Sequence, residues 1–177
     1  MSILNLFMLL ITGSFSSITS FDAKYANEIK MEVMGKTVVI KTDVLVHANK
    51  KQTVIKYENP SSNSQNTLSL NFPDSILFIK KKWYNFTDGK QTEIPFDTLS
   101  IIATEEYKTV CSFKCQKFKI ANSNSGESVC WVSKELPKNL IPFPGLKGLP
   151  GAVLEYENLN TGISFKMKTI EVKYGKK

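Results

Sequence analysis

Residue types that carry much of enzyme chemistry are scarce in this chain of 177 residues: there is one histidine, His47, and there are three cysteines, Cys111, Cys115 and Cys130. A single histidine excludes a multi-histidine metal site and makes any serine- or cysteine-type triad depend on His47. That residue lies in the polar run His47-Ala48-Asn49-Lys50-Lys51, which reads as a turn, and so it reads as a surface histidine. None of the cysteines has an evident base beside it, as a thiolate nucleophile needs. No segment has a convincing 3.6-residue apolar period, which argues against helical folds, and no apolar run reaches the ~20 residues of a membrane helix. Internal repeats and interdomain linkers are missing too, so one domain is expected.

Charge is also absent from the beginning of the chain, where no charged side chain precedes Asp22. The apolar block Ile3 to Ile11 followed by Gly13, Ser14, Ser16, Ser17 and Ser20 has the build of an export signal over residues 1–20. Cleavage is expected near Ser20/Phe21, leaving a domain over 21–177 that is periplasmic or associated with the cell envelope; a buried N-terminal strand or helix is the alternative reading. The formal net charge of +7 belongs entirely to the part after the signal. Such a protein is drawn to anionic surfaces. The one compact cationic run, Lys80-Lys81-Lys82 beside Trp83 and Tyr84, lacks any accompanying recognition motif, so no nucleic-acid partner is expected.

What is present is β-branched and aromatic material broken by turn signals. Asn27 to Val46 reads as a hairpin about Gly35-Lys36, Gln52 to Glu58 as a strand, and Thr67 to Phe72 as an alternating strand with Leu68, Leu70 and Phe72 on one face. Ser75 to Asn85 reads as one strand, and Asp88-Gly89 as a hairpin turn. Pro95 to Glu106 reads as strand, with a single helical turn as the alternative. Thr109 to Ala121 and Glu127 to Leu136 read as a hairpin about Asn122–Gly126, and the last two strands meet about Asn158–Gly162. In the final strand Ile163, Phe165 and Met167 share one parity while Ile170, Val172 and Tyr174 share the other; a one-residue bulge near Lys168-Thr169 restores a single apolar face. About ten short strands and little helix imply a mainly β single domain, a strongly curved antiparallel sheet or partly open barrel.

The chemistry-bearing residues each have a structural reading beside a functional one. If Thr109 to Ala121 is one strand, Cys111 and Cys115 stand too far apart for a disulfide, and closing the hairpin places Cys130 opposite about Phe118. A Cys115–Cys130 bond and three core thiols both stay open. Glu105-Glu106 and Glu155/Glu157 could hold calcium or act on a glycoside, but alternation with Leu154 and Tyr156 puts the latter pair on a solvent face. Asn85-Phe86-Thr87 fits a glycosylation acceptor by chance. Trp83 and Trp131 are core or pocket aromatics, or a platform for stacking a ligand. No catalytic residue, metal or cofactor is expected.

The stretch Leu136 to Tyr156, LPKNLIPFPGLKGLPGAVLEY, concentrates four prolines and three glycines before an apolar strand. Its backbone is shaped rather than floppy. With Cys115, Lys117, Trp131 and the Glu135-Leu136-Pro137 run that precedes it, the Gly148-Leu149-Pro150-Gly151 turn resembles the GLPGLI family of exported bacterial proteins. The resemblance covers roughly the C-terminal third, and Ala152-Val153 stand where that family's motif continues with Leu-Ile. It implies no established activity, and a broad fold-level similarity to LolA-type carriers, whose curved sheet cups a lipid chain. The expectation is a non-enzymatic monomer binding a lipid-like ligand in a concave sheet, with Trp131, Leu140, Ile141, Phe143, Leu146 and Leu149 about it. A plug made of the same loop residues is the plainer version, and an envelope assembly factor docking a partner protein through the loop is the competing class.

Overall fold

The computed structural model describes residues 18–49, 51–62, 73–95, 100–122, 126–142, 144, 146, 148–158 and 163–176. Its strands are β1 (Ile18–Val33), β2 (Lys36–Asn49), β3 (Gln52–Ser62), β4 (Ser75–Ile79), β5 (Lys82–Thr87), β6 (Lys90–Ile94), β7 (Ser100–Val110), β8 (Phe113–Asn122), β9 (Gly126–Ser133), β10 (Ala152–Asn158) and β11 (Ile163–Lys176). They form one 11-stranded antiparallel sheet in the order β6-β5-β4-β3-β2-β1-β11-β10-β9-β8-β7, with no helix among the described residues. Two meanders, β1–β6 and β7–β11, are therefore stitched together where the first and last strands pair, Phe21 opposite Tyr174 and Ile29 opposite Phe165.

Connectivity dictates the shape. In a flat sheet of this order, β6 and β7 would lie about 48 Å apart at ~4.8 Å per strand. Yet Ile94 and Ser100, which end β6 and begin β7, are joined by a segment that spans ~21 Å at most when fully extended. The sheet must curl until its two edges approach at that end. They do not pair, so the sheet stays open rather than closing into a barrel. This is the expected curved, partly open sheet.

The face inside the curl carries the core. On β2 the buried set is Val38, Ile40, Thr42, Val44, Val46 and Ala48, and on β1 it is Phe21, Ala23, Tyr25, Asn27 and Ile29, each following the two-residue period of a strand with one covered face. The outer face is laced with ion pairs such as Lys24–Asp43 at 2.8 Å and Lys30–Glu28 at 2.9 Å. The expected bulge in the last strand is present: pairing slips between Lys24/Glu171 and Tyr25/Thr169, which leaves Ile170 outside while Met167, Thr169 and Val172 serve the inner face.

Several expectations need correction. β1 starts at Ile18, well before Asn27, because Phe21, Ala23 and Tyr25 already follow the strand period. The described residues form eleven strands, in keeping with about ten, but two strand boundaries fall elsewhere than expected. Ser75 to Asn85 reverses at Lys80-Lys81 (φ 50° and 66°), and Thr109 to Ala121 reverses at Cys111-Ser112 (φ 47° and 70°). Both are two-residue turns with both φ positive, the geometry that matches strand twist. The same geometry at Met34-Gly35 and Asp88-Gly89 was legible from the glycines. His47 is inside β2; the turn after it belongs to Asn49, whose side-chain oxygen accepts the amide N–H groups of Lys51 at 2.9 Å and Gln52 at 3.0 Å. The expected strand at 67–72 lies outside the described residues.

Candidate functional site: the inner face and its strap

A single curved sheet with an apolar inner face needs a second layer to bury it. Here the Pro/Gly-rich stretch supplies it. Leaving β9 at Ser133, the chain crosses the inner face as far as the β2–β3 turn and returns to β10 at Ala152. Asn139 marks the far point: its carbonyl accepts the Thr53 hydroxyl at 2.7 Å, and its side-chain amide donates to the Asn49 carbonyl at 2.6 Å. The Leu140 N–H donates to the Pro137 carbonyl at 3.0 Å and the Val153 N–H to the Leu140 carbonyl at 3.2 Å. Tyr25, fully buried on β1, donates its hydroxyl to the Val153 carbonyl at 2.8 Å. Polar ties thus fasten the strap at a few points, and burial does the rest.

Leu136, Leu140, Ile141, Leu146 and Leu149 are all buried in the main core cluster with Tyr25, Val44, Ile55, Val132, Leu154 and Met167. Each such side chain contributes about 1.5–3 kcal/mol relative to exposure. The structure therefore brings together four of the residues expected around a ligand, Leu140, Ile141, Leu146 and Leu149, as a strap packed onto the sheet. Phe143 lies outside the described residues. Trp131 stands apart from the strap, although it is half-buried and packs against the same cluster. Its neighbours Cys130 and Val132 face the core, so alternation turns Trp131 to the outer face, where it pairs in register with Glu155 and Lys117. Lys108 lies 4.2 Å from its ring centroid while ion-pairing with Glu155, and Lys117 lies 6.0 Å away while pairing with Glu106 at 2.9 Å. Trp83 is a core residue, 1% exposed and 4.8 Å from the Phe78 ring centroid.

The Gly148-Leu149-Pro150-Gly151 turn has two distinct glycine requirements. Gly148 has φ +98°, and a Cβ there would sit 3.3 Å from Ile101 Cδ1 on edge strand β7. Gly151 has no unusual φ; a Cβ on it would overlap the Ser133 carbonyl oxygen and lie 2.6 Å from that carbonyl's carbon and 2.9 Å from Lys134 Cα. The strap's two ends pass so close that only glycine fits between them.

Reactive groups are muted. No cysteine is in a disulfide: Cys111 lies in the β7–β8 turn, while Cys115 and Cys130 are buried, and Cys130 pairs with Phe118 as the hairpin register predicts. Burial raises all three thiols above their usual range, Cys115 to about 11. Thiolate chemistry at neutral pH is disfavoured at each. His47 Nδ1 meets Asp22 Oδ1 at 2.7 Å on the outer face, in a cleft of ≈ 310 Å³ lined also by Lys24, Leu45, Lys56 and Lys173. That cleft offers no hydroxyl or thiol nucleophile. Glu155 and Glu157 engage lysines, Glu155 with Lys108 and Lys168 and Glu157 with Lys166, on the solvent face. Among the described residues no group of three or more His, Cys, Asp or Glu is arranged to hold a metal, and no helix is long and apolar enough to cross a membrane.

Sequence reasoning missed Asn27. It is 2% exposed on the inner face, and neither its amide nitrogen nor its amide oxygen has a hydrogen-bond partner. A signal was there to find: in the run Phe21, Ala23, Tyr25, Asn27, Ile29, Met31 it is the one position that puts an amide among apolar residues. Treating Asn27 as the start of a strand hid the pattern.

No family model and no curated protein matches the chain. Solved structures share its fold. PNGF-II superposes over 90% of this chain with a TM-score of 0.57 at 17% identity, and the chain spans 29% of the length of PNGF-II. An uncharacterized conserved protein from Thermus thermophilus superposes over 98% of this chain and 89% of its own, with a TM-score of 0.50 at 12% identity. An outer membrane lipoprotein-sorting protein domain from Vibrio parahaemolyticus reaches a TM-score of 0.27 at 9% identity, over 86% of this chain and 85% of its own, too slight to carry an argument. At these identities the likeness is one of fold alone.

Proposed function

We propose that this chain is an exported, monomeric, non-catalytic binder of a lipid-like molecule, held between the inner face of the curved sheet and the strap. One observation carries the reading. The second layer of the fold is an irregular strap of apolar side chains, Leu136, Leu140, Ile141, Leu146 and Leu149, fastened at few polar points onto an apolar sheet face. An apolar ligand that enters between strap and sheet covers the apolar side chains of both, so apolar contacts are exchanged for apolar contacts at little cost in hydrophobic free energy. Leu140, Ile141, Leu146 and Leu149, with Phe143, then line the ligand from the strap side, while Trp131 supports the same cluster from the outer face. Membership in the GLPGLI family, export by residues 1–20 and a periplasmic or envelope location belong to the same proposal, supported by the residues from Cys115 to Glu157 and by the uncharged N-terminus. The docking alternative has less support, because among the strap's described residues Leu136, Leu140, Ile141, Leu146 and Leu149 are turned inward while Lys134, Glu135, Lys138 and Pro150 are exposed.

Native mass spectrometry of the purified protein, followed by titration with a fluorescent fatty-acid probe, tests the proposal. A co-purifying apolar molecule, or saturable probe binding at one equivalent, is the expected result. No bound molecule together with no probe binding overturns it, and recovery of one stoichiometric protein partner from envelope extract favours the docking reading instead.

A further inference from the structure

Asn27 stands at a seam. One step along β1 from Tyr25, it separates the main core cluster under the strap from a second cluster of Ile29, Val38 and Ile40, against which Met31, Val33 and Phe165 pack. Its cross-strand partners on the inner face are Thr42 on β2 and Met167 on β11. Thr42 is satisfied, donating its hydroxyl to the Glu58 carbonyl at 2.7 Å, so it has no hydrogen to offer the amide. Tyr25 is committed to Val153, and Met167 and Ile29 carry no strong donor or acceptor. The amide is thus buried with two donors and an acceptor unused, whereas Tyr25, Thr42, Thr53 and Thr169 on the same face are engaged and Asn85 on β5 leaves only its amide oxygen unpaired. Buried polar groups are normally paired, so an orphan in a native interior calls for an occupant that pairs it.

We infer that the Asn27 side-chain amide is the polar anchor of the ligand site, recognising an uncharged head group that both donates and accepts a hydrogen bond on an otherwise apolar molecule. This rests on the lipid-binding reading above and names the class of ligand. A head such as a primary amide or a protonated carboxylic acid presents a donor and an acceptor side by side, complementary to the oxygen and nitrogen of the asparagine amide. An ionised head does not suit the position. Tyr25, Ile29, Thr42 and Met167 around it bear no charge, and the nearest strand neighbours that do, Glu28, Lys41 and Lys168, alternate to the outer face, so a buried carboxylate or ammonium would lack a counter-charge. With the head at Asn27, the tail runs past Tyr25 along the face that the strap covers, parting the strap from the sheet among Val44, Leu140 and Leu154.

The test is competition against a neutral fluorescent apolar dye, N-phenylnaphthylamine, bound to the purified protein. A long-chain fatty primary amide is compared with an alkane of matched length, in wild type and in Asn27→Leu. The expected result is about a tenfold preference for the amide in wild type, the discrimination that a net hydrogen-bond gain of this kind gives, and no preference in Asn27→Leu. Equal competition by amide and alkane in wild type, or a preference that survives the substitution, overturns the anchor while leaving the lipid-binding reading standing. If neither competitor nor dye binds, both fall. A melt of the variant accompanies the assay, and Asn27→Ala carries the same comparison if Asn27→Leu does not fold.

Discussion

The inner face of the sheet has two stretches that differ in one respect. From Phe21 to Tyr25 it lies under the strap and is complete: the Tyr25 and Thr53 hydroxyls are spent on the carbonyls of Val153 and Asn139, and the apolar positions are 0–8% exposed. One residue pair further along, at Asn27 and Met167, the face is as deeply buried but chemically unfinished, with an amide that pairs with nothing. A closed apolar layer needs only shape, whereas an orphaned amide has a cost of about 1–3 kcal/mol per unpaired group. The strap side of the face is thus completed for stability, and the seam beside it is left open to a partner for its amide.

The sharpest way to break the comparison is to unseat the strap. Gly151→Ala forces a Cβ into the Ser133 carbonyl, and neither backbone can move without pulling the strap off the sheet. We expect a loss of about 4 kcal/mol or more in urea unfolding, at the upper end for single substitutions. A variant as stable as wild type would show that the strap's ends are not held as described. Next in size is Leu140→Ala, which empties a fully buried site beneath the strap and is expected to cost about 2–5 kcal/mol. The same experiment at Leu146 should give a similar cost, since it lies in the same cluster at 3% exposure.

Alkaline pH gives a smaller and broader effect. Burial raises Cys115 to about 11 and Tyr57 to about 12, and raises Cys130 and Tyr25 as well, all in the direction that favours the neutral form in the fold. With folded values above unfolded ones, the associated stability is fully present below the ordinary thiol value of 9.0 and is lost as pH rises through the folded values. The melting temperature should hold level across neutral pH and fall above about pH 9, so a melt that rises over that range would contradict the burial of these groups. Smallest of all is Asn27→Leu in the absence of ligand. Removing an unpaired amide is expected to leave the melting temperature unchanged or slightly higher, in contrast to every substitution under the strap. A large loss would mean that Asn27 is structural.

The curved sheet was readable because strand periodicity and turn chemistry agree along most of the chain, as at Asp88-Gly89, the Phe118–Cys130 pairing and the bulge that exposes Ile170. Two turns escaped because Lys80-Lys81 and Cys111-Ser112 adopt positive φ without a glycine or asparagine, a conformation side chains of this kind seldom take and composition does not signal. The strap was visible as a family signature, but whether its leucines face a partner, a cavity or the sheet depends on where Asn139 lands, ~86 residues in sequence from Thr53. The placing of Trp131 away from the strap was not legible because one residue of register decides a strand's face, and Cys130 and Val132 claim the inner one. Asn27 needed both the true start of β1 and knowledge of its neighbours' bonds.

The central claim is that a ligand enters between the strap and the sheet face. Hydrogen exchange of the Val153 amide, whose bond to Leu140 ties the strap to β10, and of the Leu140 amide, whose bond to Pro137 closes a turn within the strap, measures it directly when the protein is saturated with a fatty-acid probe. The account predicts faster exchange at both amides on probe binding, with the β1–β2 ladder amides around Val44 unchanged. Probe binding that leaves both strap amides as protected as before would contradict it.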